Sequence, residues 1–282
     1  MVSPAARRET AGWLQGEFGV SERRACRVAN LTRNTRRYIT KRAPQEALCA
    51  RLRALAYERP RFGYRRLFSL LAREGCAVGI KKVYRTYREQ GLSLRRRRPK
   101  RVRRGERRAL PQATGPNERW SMDFVHDQLA DGRSIRMLNI IDDFTRECVA
   151  IEIDSSLSGQ RVARVLDNLV STRGLPKVIT CDNGTEFTSK AMQRWQARHD
   201  VRLNFIEPGK PMQNGYVESF NGRLRDECLN QNLFFGLRHA RVCIGEWQKD
   251  YNTQRPHGSL GHKAPAVFAL TFKPQQVLPA CA

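Results

Sequence analysis

Apolar residues recur at helical spacing through the first third of the chain. Leu48, Leu52, Leu55 and Ala56 stand at i, i+4, i+7 and i+8, which makes one face of a helix. Tyr64, Leu67, Phe68 and Leu71 mark a second helix, entered through the turn-like "ERPRFG". Ile80, Val83, Tyr84 and Tyr87 mark a third after "EGCAVG". Two helices joined by a short glycine-containing turn have the sequence shape of a helix-turn-helix, and an ordinary αα-hairpin has the same pattern. Upstream, "VSERRACRVANLTRNTRRY" predicts a smaller helical pair opening at an N-cap Ser21.

Beyond residue 117 the period changes. "RWSMDFVHDQL" alternates, with Trp120, Met122 and Phe124 on one face and Ser121, Asp123 and Val125 on the other. "RMLNIIDDF" and "CVAIEID" predict two further strands around the turn-prone "DDFTRE". Val162, Val165, Leu166 and Leu169 predict a helix that ends at Gly174 and Pro176. A short buried strand in "KVITCDNGTEF", a helix in "SKAMQRWQARHD" and a strand in "VRLNFIEP" follow. Two more helices close the chain, one over "QNGYVESFNGRLRDEC" and one with Ala240, Cys243, Ile244, Trp247 and Tyr251 on a single face. Antiparallel strands followed by α/β alternation predict a mixed sheet with helices on both faces, an α/β fold preceded by an all-α region.

Charge separates the two regions. Residues 1–116 hold 31 Lys/Arg against 8 Asp/Glu, whereas residues 117–282 hold 21 against 19. Positive charge interleaved with Tyr, Phe and Leu at helical spacing points to a polyanion, and nucleic acid is the commonest. Lys81, Lys82, Arg85 and Arg88 lie on the second helix of the helix-turn-helix-like pair. "LRRRRPKRVRRGERR", which includes Arg95, Arg96, Arg97 and Arg98, has no apolar period and reads as a linker able to follow a phosphate backbone. The boundaries that follow are a basic helical segment over 1–44, a helix-turn-helix-like domain over 45–93, an Arg-rich linker over 94–117, a core with its C-terminal helix over 118–270, and a tail over 271–282. The eight cysteines form no C-x-x-C pair and the five histidines are scattered, so no zinc site assembles by local spacing. No apolar run approaches the ~20 residues that span a bilayer. A reduced, cytoplasmic protein with no membrane partner is the expectation.

Three carboxylates stand where such groups are uncommon. Asp123 lies in a strand rich in bulky apolar residues, where an unpaired charge is costly. Asp182 follows Val178-Ile179 at a strand's carboxyl end, the place where open α/β sheets put ligands. Glu218 shares one polar helix face with Asn214, Asn221 and Arg225, while Val217, Phe220, Leu224 and Cys228 make a different, apolar face. A solvated helix face accounts for that last pattern equally well. Together the three suit two Mg²⁺ ions about 3.5–4 Å apart, which need hard oxygen ligands from several elements. Asp142, Asp143, Glu186, Asp226 and Glu227 are acidic neighbours for which turn or surface roles suffice.

Asp123 in "WSMDFV", Asp182 in "CDNGTEF" and Glu218 in "QNGYVESFNGRLRDECLN", with 35 residues between the last two, resemble a DDE transposase of the retroviral-integrase type. More closely, the chain resembles the OrfB transposases of the bacterial insertion-sequence-three family, through "RPRFGYRRL", "IDDFTRE" and "YNTQRPHGSLG" as well. The resemblance covers roughly residues 45 to 270. It implies an RNase H-like catalytic core, two divalent cations (Mg²⁺, with Mn²⁺ as substitute), and cleavage and strand transfer at transposon ends without a covalent protein–DNA intermediate. It also implies that Asp123, Asp182 and Glu218 are the metal ligands and that Arg225 contacts transposon-end DNA. Asn214 and Asn221, on the same face, are taken as further DNA contacts. For Arg255, Pro256 and His257 the expectation is a capped helix end near DNA. The partners implied are double-stranded DNA, further copies of the chain on that DNA, and an upstream DNA-binding protein joined by frameshifting. The resemblance to bacterial proteins that act on DNA also implies association with the nucleoid.

Two features depart from the family pattern. Gly79-Ile80 stand where a polar pair is expected at the start of a recognition helix, which favours backbone binding over base reading. No heptad of the kind carried by the upstream partner is visible. Two other readings share the fold: a catalytically silent protein that occupies DNA ends, and a nuclease acting on RNA–DNA hybrids.

Overall fold

The computed structural model describes residues 3–38, 45–94, 112–207 and 211–272, which divide into two compact units, Met1–Leu48 and Cys49–Ala282. In the first unit, α1 (Pro4–Phe18), α2 (Glu22–Val28) and α3 (Arg33–Arg37) are each capped by a hydroxyl. Ser3, Ser21 and Thr32 accept from the backbone N–H of Ala6, Arg24 and Thr35. The pair beginning at Ser21 is as the sequence predicts. Helix α1 was not anticipated, because Ala11 is its one buried residue and no apolar stripe marks it. The Ser3-Pro4 start was the available signal.

Helix α4 (Glu46–Glu58) begins at the end of the first unit and lies mostly in the second, which continues with α5 (Tyr64–Arg73) and α6 (Ile80–Glu89). Leu52, Leu55, Leu67, Leu71, Val83 and Tyr87 are buried, as the helical period requires. Ile80 and Tyr84 face outward, although Tyr84 still packs on Tyr64 with ring centroids 4.7 Å apart. Lys81 and Arg85 are exposed on α6 and Lys82 is half-buried. Arg95, Arg96, Arg97 and Arg98 lie outside the described residues, as do most of the Arg-rich linker and the tail from residue 273.

A five-stranded sheet follows. Its elements are β1 (Arg119–Gln128), β2 (Ser134–Asp142), β3 (Cys148–Asp154), α7 (Gly159–Arg173), β4 (Val178–Cys181), α8 (Lys190–His199), β5 (Arg202–Phe205), α9 (Gly215–Glu227), α10 (Leu237–Thr253) and α11 (Pro265–Leu270). The strand order is β3-β2-β1-β4-β5, with β1–β2 and β2–β3 antiparallel and β1–β4 and β4–β5 parallel. This is the expected α/β, RNase H-like mixed sheet. Trp120, Met122, Leu138 and Ile140 pack with Val162, Leu166, Met192 and Trp195 of α7 and α8. On the other side, Val125, Met137, Ile141 and Ile153 pack with Val217, Phe220 and Leu224 of α9 and with Ile244 and Tyr251 of α10. Each such fully buried side chain contributes roughly 1.5–3 kcal/mol. The alternation along β1 therefore turns Asp123 toward α9. Among the described residues, no helix is long and apolar enough to cross a membrane.

Charged side chains tie α4–α6 to the sheet domain. Arg59 forms a fork with Asp250. Arg66 reaches Glu227 at 3.1 Å, and Arg255 grips the same carboxylate through Nε at 2.8 Å and Nη2 at 2.6 Å. Arg61 pairs with Asp226 at 3.3 Å, and Arg73 donates to the carbonyls of Gln254 and His262. Buried Phe62 lies beneath the guanidinium groups of Arg59, Arg66 and Arg255. "RPRFGYRRL", "RLRDECLN" and "YNTQRPHGSLG" thus meet in one place. The capped helix end expected here is present, with the Arg255 N–H donating to the Asp250 carbonyl at 3.0 Å, and its side chains are turned inward: Arg255 is 2% exposed and His257 4%. Glu227 likewise has a buried structural partner rather than a surface role, because an ion pair withdrawn from water needs every oxygen bonded.

Candidate active site

Asp123 and Asp182 come from adjacent parallel strands. Arg119, Trp120 and Ser121 of β1 stand level with Val178, Ile179 and Thr180 of β4. Continuing that register two residues brings Asp123 level with Asp182, about one strand spacing away, roughly 4.8 Å between backbones. Asp182 follows directly on the last residue of β4, Cys181. Its Oδ1 accepts the Gly184 N–H at 3.0 Å, and a Cβ on Gly184 would sit 3.0 Å from that same oxygen. The loop is pinned by Asn183, whose Nδ2 donates to the Ile206 carbonyl at 2.9 Å.

Asp123 is half-buried and held from two sides. Oδ1 accepts the N–H of Phe124 at 2.8 Å, and Oδ2 accepts Nδ2 of Asn221 at 2.8 Å. Burial pushes its carboxyl up to about 6, with the charges of Asp182 and Glu218 adding to the rise. Glu218 stands on the exposed face of α9, and burial raises its carboxyl as well. It has no hydrogen bond or ion pair among the described residues. α9 is fixed by Val217, Phe220 and Leu224, which are buried against the sheet. The charges of Asp182 and Glu218 both act on Asp123, although among the described residues no three acidic, His or Cys side chains already form a metal-sized cage. All the donors are oxygens. The adjoining thiol of Cys181 is pushed up to about 12 by burial and by Asp182, so it offers no competing thiolate.

The other sequence candidates divide. Arg225 is exposed on the Glu218 face, its Nη2 donating to the His126 carbonyl at 3.1 Å. Asn214 is the N-cap residue of α9 and is 3% exposed, with Nδ2 on the Met122 carbonyl. Asn221 is engaged with Asp123, and its Oδ1 accepts from Asn139 at 2.7 Å. The amides of both asparagines are therefore directed at the protein, and they position the site rather than present themselves outward. Asn139 was missed. It is fully buried on β2 directly opposite Asp123, and the lone amide inside "RMLNIID" was the available signal.

The neighbouring acids have partners of their own. Asp142 is buried and accepts the N–H groups of Asn117, Phe144 and Thr145. Asp143 is buried between Arg119 and Ser121. Glu186 pairs with Arg136 at 2.6 Å, and that guanidinium lies 4.3 Å from the Phe124 ring centroid.

Residues 113–211 and 199–265 match integrase core domains, and residues 44–100 match an HTH-like domain. An insertion element IS407 protein of Burkholderia multivorans is 47% identical over 95% of this chain and 97% of its own length. An insertion element IS476 protein of Xanthomonas euvesicatoria is 46% identical over 98% of this chain and 80% of its own. The InsF transposase for insertion sequence IS3A of Escherichia coli is 24% identical over 90% of this chain and 95% of its own. Among solved structures, the HTLV-2 integrase catalytic core domain shares 20% identity over 55% of this chain and 98% of its own, with a TM-score of 0.45. The fold and site define an integrase-type core behind a helix-turn-helix-like region. The chain belongs to the insertion-sequence-three family of transposases, and its function is DNA transposition.

Proposed function

We propose that Asp123, Asp182 and Glu218 ligate the divalent cations of a DDE-type polynucleotidyl transferase that cleaves insertion-element ends and joins them to target DNA. The gathering of three carboxylates from separate parts of the fold supports this reading: Asp123 resists ionisation through its burial, and the charges of Asp182 and Glu218 add to that. A bound hard cation would offset that repulsion, and an all-oxygen donor set suits Mg²⁺, with Mn²⁺ as substitute. When bound, a pair of such ions supplies an activated oxygen nucleophile and neutralises charge on the leaving oxygen.

The chain's own residues do the positioning. Asp123, which feels the charges of both of the others, would hold a cation together with them. Asn221 and the Phe124 N–H fix its two oxygens, and the Gly184 N–H fixes Asp182. Glu218 lies on the exposed side and completes the set from α9. Arg225 offers its guanidinium to a DNA phosphate on the same face, while Lys81, Lys82 and Arg85 of α6 serve backbone binding. Two element ends and a target have to be held together, so the working form is an assembly of at least two copies on duplex DNA. An upstream partner joined by frameshifting is compatible with this reading, and an overlapping upstream frame in the flanking DNA is its test.

The test of the chemistry compares duplex carrying the element's terminal repeats with an RNA–DNA hybrid of the same sequence, with Mg²⁺, with Mn²⁺ and with chelator. The expected result is cation-dependent cleavage and joining of the duplex. Cleavage confined to the hybrid would overturn the reading in favour of a nuclease.

A further inference from the structure

Positive charge also gathers on a different face of α9. A cavity of about 380 Å³ is lined by Arg119, Arg146, Tyr216, Ser219, Arg223 and His257, with Gly215 at the helix start also on its wall. On α9, Tyr216, Ser219 and Arg223 point well away from Glu218, by the 100° step per residue. The cavity is therefore separate from the carboxylate cluster.

Its donors are only partly matched by the protein, Arg223 having the Tyr251 hydroxyl as a hydrogen-bond partner. Arg119 is neutralised by Asp143. Among the described residues, neither Arg146 nor Arg223 has a carboxylate within salt-bridge distance. The Arg146 guanidinium lies 3.6 Å from the Tyr216 ring centroid, and its Nη1 is buried with no hydrogen-bond partner among the described residues. His257 is 4% exposed, and its Nε2 is also buried without a partner among them. Burial and the charges of Arg255, Arg223, Arg66 and Arg146 push that imidazole down to about 2, so this region of the fold is short of negative charge. The positive end of the α9 dipole adds to the field. Arg146 also holds a backbone φ of 62°, an uncommon conformation for a long side chain, and thereby projects from the β2–β3 turn.

We propose that this cavity is a second DNA site, which takes the phosphate of one unpaired nucleotide on Arg146, Arg223 and His257. A polyanion explains the unmatched donors. The volume exceeds what a bare phosphate fills, and Tyr216 and Tyr251 add flat walls for the attached nucleoside. A duplex presents its phosphates on a convex ridge, which does not reach buried donors inside a cavity. A single-stranded extension does. The inference rests on the chain acting on DNA and is independent of which residues ligate metal.

Arg146→Gly tests it cleanly, because φ 62° suits glycine and the fold should melt no lower than wild type. Binding of a blunt duplex and of the same duplex with a short single-stranded extension is measured by fluorescence anisotropy, in chelator, for wild type, Arg146→Gly and His257→Asn. The wild type should prefer the extended DNA. Both variants should lose that preference, with binding of the extended DNA about tenfold weaker, the loss expected for one charge-assisted hydrogen bond. Blunt-duplex affinity should be unchanged. An intact preference in Arg146→Gly, or an equal loss on blunt duplex, overturns the proposal. A deoxynucleoside monophosphate should compete for the extension, and competition by inorganic phosphate at equal strength would overturn the nucleotide assignment. Measuring in chelator keeps a failure here distinct from a failure of the metal reading.

Discussion

Asn221 donates its side-chain amide to Oδ2 of Asp123 at 2.8 Å, reaching from helix α9 to strand β1. The geometry leaves Asn221 Oδ1 to Asn139, itself buried opposite Asp123 on β2. One amide thus locks the carboxylate's orientation, and the helix that carries Glu218 is registered against the strand that carries Asp123. The bond also favours the ionised form of Asp123 against the burial that opposes it.

Removing that amide should therefore move the acid side of the activity profile. In Asn221→Ala the Asp123 carboxyl rises further above about 6, because it loses a donor to its charged form. The pH dependence of Mg²⁺-supported end cleavage should shift upward by about one unit, in line with a charge-assisted hydrogen bond. Activity at pH 8 should suffer less than activity at pH 6.5. An unshifted profile with uniformly lower rate would assign Asn221 a packing role alone.

Asp123 itself should cost the metal-free protein stability. Its folded value of about 6 lies above the ordinary 3.8, so the folded state holds the proton more tightly than the unfolded state does. Ionisation is thus unfavourable to the fold. The penalty is complete above about pH 6 and disappears as pH falls toward 4. Asp123→Asn is expected to be about 1–3 kcal/mol more stable than wild type at pH 7 without divalent cations. Urea denaturation at pH 7 and pH 4 checks this, and the difference between the proteins should shrink at the lower pH.

Much of this was legible in the residues. The alternation in "RWSMDFV" placed Asp123 opposite Trp120 and Met122, and those two are buried on the α7–α8 side of the sheet. Val178-Ile179 before Asp182 marked a buried strand for the same reason. Partnership among polar groups was not legible, because hydrogen bonding depends on which elements meet and no local period encodes it. Asn221 looked like a solvent-facing residue beside Arg225, yet 98 residues separate it from its partner Asp123. Arg255 looked like part of a capped helix end near DNA, and its pairing with Glu227, 28 residues away, had no local signal. Helix α1 escaped because a helix with one buried residue has no stripe to read.

The Arg66–Glu227–Arg255 group supplies a prediction about domain attachment. Glu227→Gln leaves Arg255, 2% exposed, without its counter-charge. Breaking a buried pair by removing one partner typically costs about 3–5 kcal/mol. Chemical denaturation should show a loss of that order. The double variant Glu227→Leu with Arg255→Met should be destabilised by less than Glu227→Gln alone, since only the partly exposed Arg66 is then left without its counter-charge. Arg66 is partly exposed, and Arg66→Met should cost less than either single change at the buried pair.

Strand joining by variants that keep the fold and the DNA affinity tests the central claim most directly. Asp123→Asn, Asp182→Asn and Glu218→Gln are each mixed with terminal-repeat duplex and target DNA in Mg²⁺ and in Mn²⁺, with end binding measured in parallel. Each variant is expected to bind the ends as wild type does and to form no measurable joined product with either cation. Wild-type joining by any one of the three would contradict the assignment of these carboxylates as the metal-binding set.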